Sequence, residues 1–360
     1  MATLPRILYL AYPLMRVSAD SAGGAEQMLH VVEQEMARRG YETTLAASAG
    51  SLAAGELVVT GAIPNAPDSF EDRSREHNNR VLQLICERQH SSSPFDLVHD
   101  MSGTFWPCAA GFDLPVVATL HLPRSFYPPA AFHDIPPNVC FNCVSKSQLR
   151  SFADVPQMLP VVNNGIDLSL FQMADNKADY LLWLGRICEE KGPDLAIRAA
   201  QIAGSPLILA GQVYPFSYHQ QYFGREIAPH LAGSRALVRW LESPSLEEKI
   251  RLLTHARALL ISSLAEETSS LVAMEAMACG TPVIAFAHGA IPEIVVNGKT
   301  GFLVKSVEEM AAAVTKVEEI NPAECRQEVE AKFASGRMAD DYQQLYQIVL
   351  TLQAPLQRAA

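Results

Sequence analysis

Apolar and polar positions along the chain change period many times, and they do so in a regular order. RILYLAY (6–12) is a strand-like run, and beyond it Met28, Val32 and Met36 recur at every fourth position, which predicts a helix over about 25–39. Arg38 and Arg39 fall in its last turn, and Gly40 suits the left-handed position that ends it. TTLAAS (43–48), DLVHD (96–100), PVVATLH (115–121) and NCVSKS (142–147) predict further strands. The second half repeats the scheme with YLLWLG (180–185), a helix opened by Pro193 and running to about Ile202, then PLILAG (206–211), LVRWL (237–241) and ARALLIS (256–262). A helix starting at Ser269 or Ser270 follows, then PVIAFA and, after an Asn297-Gly298 turn, GFLV. Ser306 and Glu309 have capping-box spacing for a helix to about Glu319, and a last helix spans about Gly336–Gln353 with Met338, Tyr342 and Leu345 apolar.

Strands alternating with helices predict parallel βαβ units and an α/β fold of two doubly wound domains. The polar, turn-rich stretch 163–179 reads as a linker. The expected division is 1–165, completed by a C-terminal helix over 337–360, and 166–336, the two facing each other across a cleft. In such sheets ligands sit at the carboxyl ends of the strands. The segment 64–80 mixes charges and reads as a lid or a mobile loop.

Composition narrows the function. Of 360 residues, 49% are hydrophobic and 19% charged, which supports a large core. A net charge of −11 argues against nucleic-acid binding and a broad electrostatic membrane dock. No apolar run reaches the roughly 20 residues that span a bilayer, and the N-terminus reads as a first strand rather than a signal peptide. The seven cysteines are scattered, with Cys140 and Cys143 a lone CxxC; reduced thiols, a cytoplasmic location and no zinc are expected.

Candidate chemistry collects after strands. Gly23 and Gly24 precede a helix, where bare backbone admits an anion, although a plain capped loop has the same residues. GRICEEKG (185–192) leaves a strand at Gly185 and carries Arg186 and Lys191, which suit a diphosphate; Glu189 and Glu190 could equally balance them as solvated cations. In EETSSLVAMEAMACGTPV (266–283), Glu267 precedes the helix, Ser270 and Leu271 stand at its start with free N–H groups, and Glu275 lies within it. A carboxylate there can accept two hydrogen bonds from a ribose cis-diol. No GxGxxG follows any strand, which weighs against a dinucleotide cofactor.

The segments GGAEQ, NNGID, GRICEEKG and EETSSLVAMEAMACGTPVIAFAHGAIPEIVVNGKTGFLV together resemble glycosyltransferase family 4 over most of the chain, most densely over 163–305. The resemblance implies a GT-B fold of two Rossmann-like domains and a retaining, metal-independent transferase. Its co-substrate would be a nucleotide-sugar, a UDP-sugar first, with GDP and ADP forms open. It further implies that Arg186 and Lys191 hold the diphosphate, Glu275 the ribose and Glu267 the donor sugar. Gly24 would meet donor phosphate or acceptor, and His121 would stand near the transferred sugar. Ser269-Ser270 occupies the place of the family's usual Phe-Gly pair, which puts the backbone approach to the donor sugar in question. A soluble acceptor is expected on the first domain, with Ser102, Gly103 and Arg124 as candidates. The alternatives are a nucleotide-sugar epimerase of similar fold and a non-catalytic nucleotide-sugar-binding protein.

Overall fold

The computed structural model describes residues 4–63, 70–231 and 237–357. The chain forms two compact units, residues 1–165 with 335–360, and residues 166–334. In the first unit β1 (Arg6–Leu10), β2 (Glu42–Ala47), β3 (Glu56–Val59), β4 (Leu97–Asp100), β5 (Val116–Leu120) and β6 (Val139–Cys143) form one sheet in the order β3-β2-β1-β4-β5-β6. Every pairing is parallel. Helices α1 (Gly24–Arg38), α2 (Phe70–Gln89) and α3 (Lys146–Ser151) connect the strands.

The second unit repeats the arrangement with β7 (Leu181–Leu184), β8 (Leu207–Ala210), β9 (Val238–Leu241), β10 (Ala258–Ile261), β11 (Val283–Phe286) and β12 (Gly301–Val304), in the order β12-β11-β10-β7-β8-β9, again all parallel. Its helices are α4 (Pro193–Ala203), α5 (Ser217–Tyr222), α6 (Ala228–Leu231), α7 (Leu246–His255), α8 (Leu271–Ala278), α9 (Ile291–Ile294), α10 (Val307–Val314) and α11 (Pro322–Lys332). Central strands β4, β5, β10 and β11, and edge strand β6, are buried along their whole length, which is why they read as mainly apolar runs. Strand order reverses between β1 and β4 and between β7 and β10. At these points neighbouring loops leave the sheet in opposite directions and open a crevice for ligands.

Several elements depart from the sequence reading. NCVSKS is only partly strand: β6 ends at Cys143, and Ser145 caps α3 by accepting from the Gln148 N–H. The expected elements leave out exposed edge strand β3 and helices α2, α7 and α11. For α2 the reason is specific. Its buried face runs Arg73, His77, Val81, Ile85 at helical spacing, but the first two members are polar. Arg73 donates to the carbonyls of Ala62 (2.9 Å) and Thr60 (3.1 Å), and His77 Nδ1 pairs with the Thr60 hydroxyl at 2.8 Å. The expected lid over 64–80 is therefore helix from Phe70 onward; 64–69 lie outside the described residues.

Helix α12 (Ser335–Gln357) belongs to the first unit. Tyr346 places its hydroxyl 2.7 Å from His99 Nδ1 and 3.2 Å from the Tyr9 hydroxyl, and His99 Nε2 meets Thr119 Oγ1 at 2.7 Å. Each polar atom in this buried set has a partner, so the network fixes the register of α12 on the sheet. Burial depresses His99 to about 3, and His77 and His121 each to about 4. In the unfolded chain they titrate near 6.5. Below that value the unfolded state binds more protons, so these groups lower stability as pH falls from about 6.5 toward 4. Glu26 and Asp100, whose carboxyls burial raises, act in the opposite sense. The contribution is therefore best isolated by comparison: the melting temperature of His99→Gln should fall less steeply across that window than that of the parent. Parallel pH profiles would rule the histidine contribution out.

Candidate active site

In the second unit the loops after β7 and β10 are fastened to each other. The Leu264 N–H donates to the Glu190 carbonyl at 2.9 Å, and the Ser262 hydroxyl donates to the Gly192 carbonyl at 2.6 Å. Trp183 Nε1 donates in turn to Ser262 Oγ at 3.2 Å. Gly192 has φ +59°, and a Cβ there would stand 2.5 Å from the Ser262 carbonyl, so only glycine lets the loops approach this closely. The lock brings Lys191 and Glu267 together: Lys191 Nζ lies 2.6 Å from Glu267 Oε1. Glu267 is held from behind as well. Its carbonyl accepts from the Ala290 N–H at 2.7 Å, and Gly289 (φ +56°) lies so near that a Cβ would sit 2.3 Å from that carbonyl oxygen.

Arg186, one residue beyond Gly185, is half-buried with its guanidinium carbon 5.6 Å from the centroid of the Tyr214 ring. Burial opposes its charge, but Cys188, Tyr214 and Glu190 outweigh that effect and keep it protonated. Ser270 is the N-cap residue of α8, though its side chain makes no capping bond. The first N–H groups of α8, from Leu271 on, have no acceptor within the helix. Glu275, on the second turn, is 4% exposed. One oxygen takes a hydrogen bond from Lys249 Nζ of α7 at 2.7 Å; the other, Oε2, is buried without a hydrogen-bond partner. The sequence signal for Lys249 was absent, because only the packing of α7 on α8 brings it to Glu275.

The first unit holds the other candidates. Gly24 begins α1, but the amide end there already faces a carboxylate. Glu26 is buried, and its Oε2 would stand 1.9 Å from a Cβ on Gly23. This carboxyl occupies the space beside the Gly23–Gly24 backbone. His121 follows β5, half-buried and neutral at physiological pH. Ser102 is committed to the fold: its hydroxyl donates to Asp100 Oδ1 at 2.6 Å, while Asp100 Oδ2 takes the Trp106 N–H. Gly103 follows it in a turn with φ +73°. Arg124 is committed too, with its guanidinium 4.5 Å from the Phe132 ring centroid and an ion pair to Asp154 at 3.7 Å. The open space lies elsewhere. A pocket of ≈ 500 Å³ at the reversal of β1 and β4 is lined by Tyr12, Glu71, Ser74, Arg75, Asn78 and Thr104 among others. Asn78 Oδ1 is buried there with no partner. Part of this wall is the 70–80 stretch expected as a loop.

A family model described as Glycosyl transferases group 1 matches residues 171–333, and one described as Glycosyltransferase Family 4 matches residues 22–170. The chain belongs to glycosyltransferase family 4. It is 28% identical to a D-inositol 3-phosphate glycosyltransferase of Mycolicibacterium paratuberculosis over 81% of this chain and 76% of that protein. A Mycobacterium tuberculosis protein of the same name is also 28% identical, over 82% and 71%. Among solved structures, sucrose-phosphate synthase from Thermosynechococcus elongatus superposes with a TM-score of 0.79 at 20% identity, covering 97% of this chain and 100% of that one. Anabaena HepE in complex with UDP and glucose gives 0.72 at 18% identity, covering 95% and 99%. These likenesses identify the GT-B fold. Against the family pattern, Ser270 stands where glycine is usual. Its backbone, φ −142° and ψ 95°, is extended, a region open to any residue, so this glycosyltransferase accommodates the serine without strain. Among the described residues no helix is long and apolar enough to cross a membrane.

Two substitutions test the geometry. Lys249→Met strands the Glu275 carboxylate and should cost about 3 kcal/mol or more in urea unfolding; a cost below about 1 kcal/mol would mean that the pair is weakly coupled. Gly289→Ala should destabilise by at least ~1 kcal/mol and reduce transferase activity by displacing Glu267. Full activity in a folded Gly289→Ala protein would contradict that role.

Proposed function

We propose that this glycosyltransferase moves a sugar with retention of configuration from a nucleotide diphosphate sugar, a UDP-sugar first, to a hydroxyl of a soluble acceptor. The observation that carries the reading is Glu275: a buried carboxylate with one oxygen held by Lys249 and the other unpartnered. A ribose diol supplies the missing donors. Beside it, the first N–H groups of α8 and the cations Arg186 and Lys191 suit the diphosphate. The fold neighbour from Anabaena was crystallised with UDP and with UDP-glucose, which favours uracil as the first base to try.

As the bond from C1 of the sugar to the diphosphate stretches, positive charge grows on the ring and negative charge on the leaving oxygens. Arg186, Lys191 and the α8 amides stabilise the leaving group from fixed positions, and losing one such donor typically costs ~100-fold in rate. Lys191 has three N–H donors, so it can serve the diphosphate while keeping Glu267 in place toward the donor sugar. His121, neutral at working pH, acts as a hydrogen-bonding group and not as a cation. The acceptor hydroxyl attacks from the leaving-group face and passes its proton to a phosphate oxygen. No metal is required by this scheme.

For the acceptor, the ≈ 500 Å³ pocket of the first unit has the size for a sugar or polyol. Arg75 lines it but is paired with Asp72, and Glu71 adds a carboxylate. The curated relatives are named for D-inositol 3-phosphate; the Arg75–Asp72 pair is exposed, so Arg75 can exchange partners with an acceptor phosphate.

The test is thermal stabilisation by UDP, GDP and ADP, followed by product analysis. Saturation about 100-fold above Kd adds about 2.7 kcal/mol, a rise of several degrees. One nucleotide should give this rise, with a smaller one in Glu275→Gln. No rise with any of the three at millimolar concentration would overturn the donor site. With donor and acceptor present, product of inverted anomeric configuration would overturn the retaining mechanism. An epimerised donor without acceptor would point to epimerase chemistry instead.

A further inference from the structure

Three side chains in and beside the Arg186–Lys191 loop are assigned no contact with donor or acceptor above, although Cys188 and Glu190 sustain the Arg186 charge. Cys188 is buried in the loop itself, Glu190 follows it, and His219 projects from α5 with 1% of its surface exposed. One ligand atom from each, a sulfur, a carboxylate oxygen and a ring nitrogen, all lie within 4.8 Å of one another. His219 Nδ1 is buried with no hydrogen-bond partner, an expensive state for a ring nitrogen. Aromatic rings hold the imidazole on several sides, with centroids 4.3 Å away for Tyr218 and 5.4 Å for Phe216. Beside the cluster lies a concavity of ≈ 330 Å³ lined by Glu190, Tyr218, His219, Tyr222, Leu264 and Ala265.

We propose that Cys188, Glu190 and His219 form a binding site for a borderline-soft divalent cation of the zinc class. The ligand set is diagnostic: thiolate and imidazole select zinc over magnesium or calcium, which take oxygen ligands. Contraction of these atoms by about an ångström reaches the tetrahedral spacing set by bonds of ~2.0–2.3 Å. A fourth position opens toward the concavity, where water or a ligand atom completes the shell. Thiol and carboxylate supply two negative charges against the ion's two positive ones. Burial raises the Cys188 thiol and the Arg186 guanidinium only partly offsets this, so the thiol proton leaves to solvent on metal binding and not before it. Arg186 also repels the cation, so the two anionic ligands are both needed. The site ties the β7 exit loop to α5 and fixes the backbone between Arg186 and Lys191. Its ligands are not those assigned to the donor, so metal binding is measured independently of the donor assignment.

The experiment uses the full chain, stripped with chelator and titrated with Co2+, then Zn2+. The expected result is saturation at one Co2+ per chain, with a thiolate-to-cobalt charge-transfer band that Zn2+ abolishes. Cys188→Ser should remove the band. His219→Gln and Glu190→Gln should weaken binding beyond the ~10–100-fold that loss of an outer partner costs. Cys86→Ser, at the exposed cysteine, should leave binding unchanged. Absence of saturable binding in the parent, or a band that persists in Cys188→Ser or disappears in Cys86→Ser, overturns the site. Should Cys188→Ser not fold, the exposed Glu190→Gln position decides: unchanged affinity there refutes the assignment.

Discussion

The contact between the β7 and β10 exit loops is the constraint on which the candidate site of the second unit depends. Both strands stand at the reversal of sheet order, so their loops begin side by side and diverge. Glu190 and Gly192 carbonyls accept from Leu264 and Ser262 and stop that divergence at one point. Lys191, between the two acceptors, is thereby held against Glu267. Glu267 in turn rests on Gly289 and Ala290, which follow β11. Three strand exits therefore converge on one carboxylate, and its position is set by backbone rather than by flexible side chains.

Charge follows the same economy. Each carboxylate of the pair meets its own ammonium: Glu267 has Lys191, Glu275 has Lys249. The former pair is partly open, and Lys191 keeps N–H donors for a further acceptor. The latter is nearly buried, where an ion pair needs good geometry to offset desolvation. Its other oxygen is buried without a hydrogen-bond partner. Opposite demands thus fall on two glutamates of one segment, and burial separates their roles.

In the first unit the polar groups at the strand ends divide in a similar way. Asp100, Ser102 and Arg124 are consumed in shaping loops and stacking on rings, whereas Tyr12, Asn78 and Glu71 border open space. Helix α12 closes the sheet through His99 and Tyr346, deep among paired hydroxyls, and so the last segment of the chain becomes part of the first unit's core.

By itself the sequence determined the α/β class, the parallel order of strands and helices, and the segments that carry Arg186, Lys191, Glu267 and Glu275. These were legible because buried parallel strands are mainly apolar runs and because short loops after them keep their chemistry close in sequence. The helix α2 was hidden, since its buried face uses Arg73 and His77 in place of aliphatic residues. Tertiary structure alone decided which polar residues are free. Ser102 and Arg124 look available as letters and are spent in contacts; Lys249, Glu26 and His219 look ordinary, and the fold sets them against Glu275, the start of α1, and Cys188 with Glu190. The reason is physical: a residue's type states what bonds it can make, but its partners come from segments as distant as α7 is from α8 or α5 from the β7 loop, and only the packed fold brings them within reach.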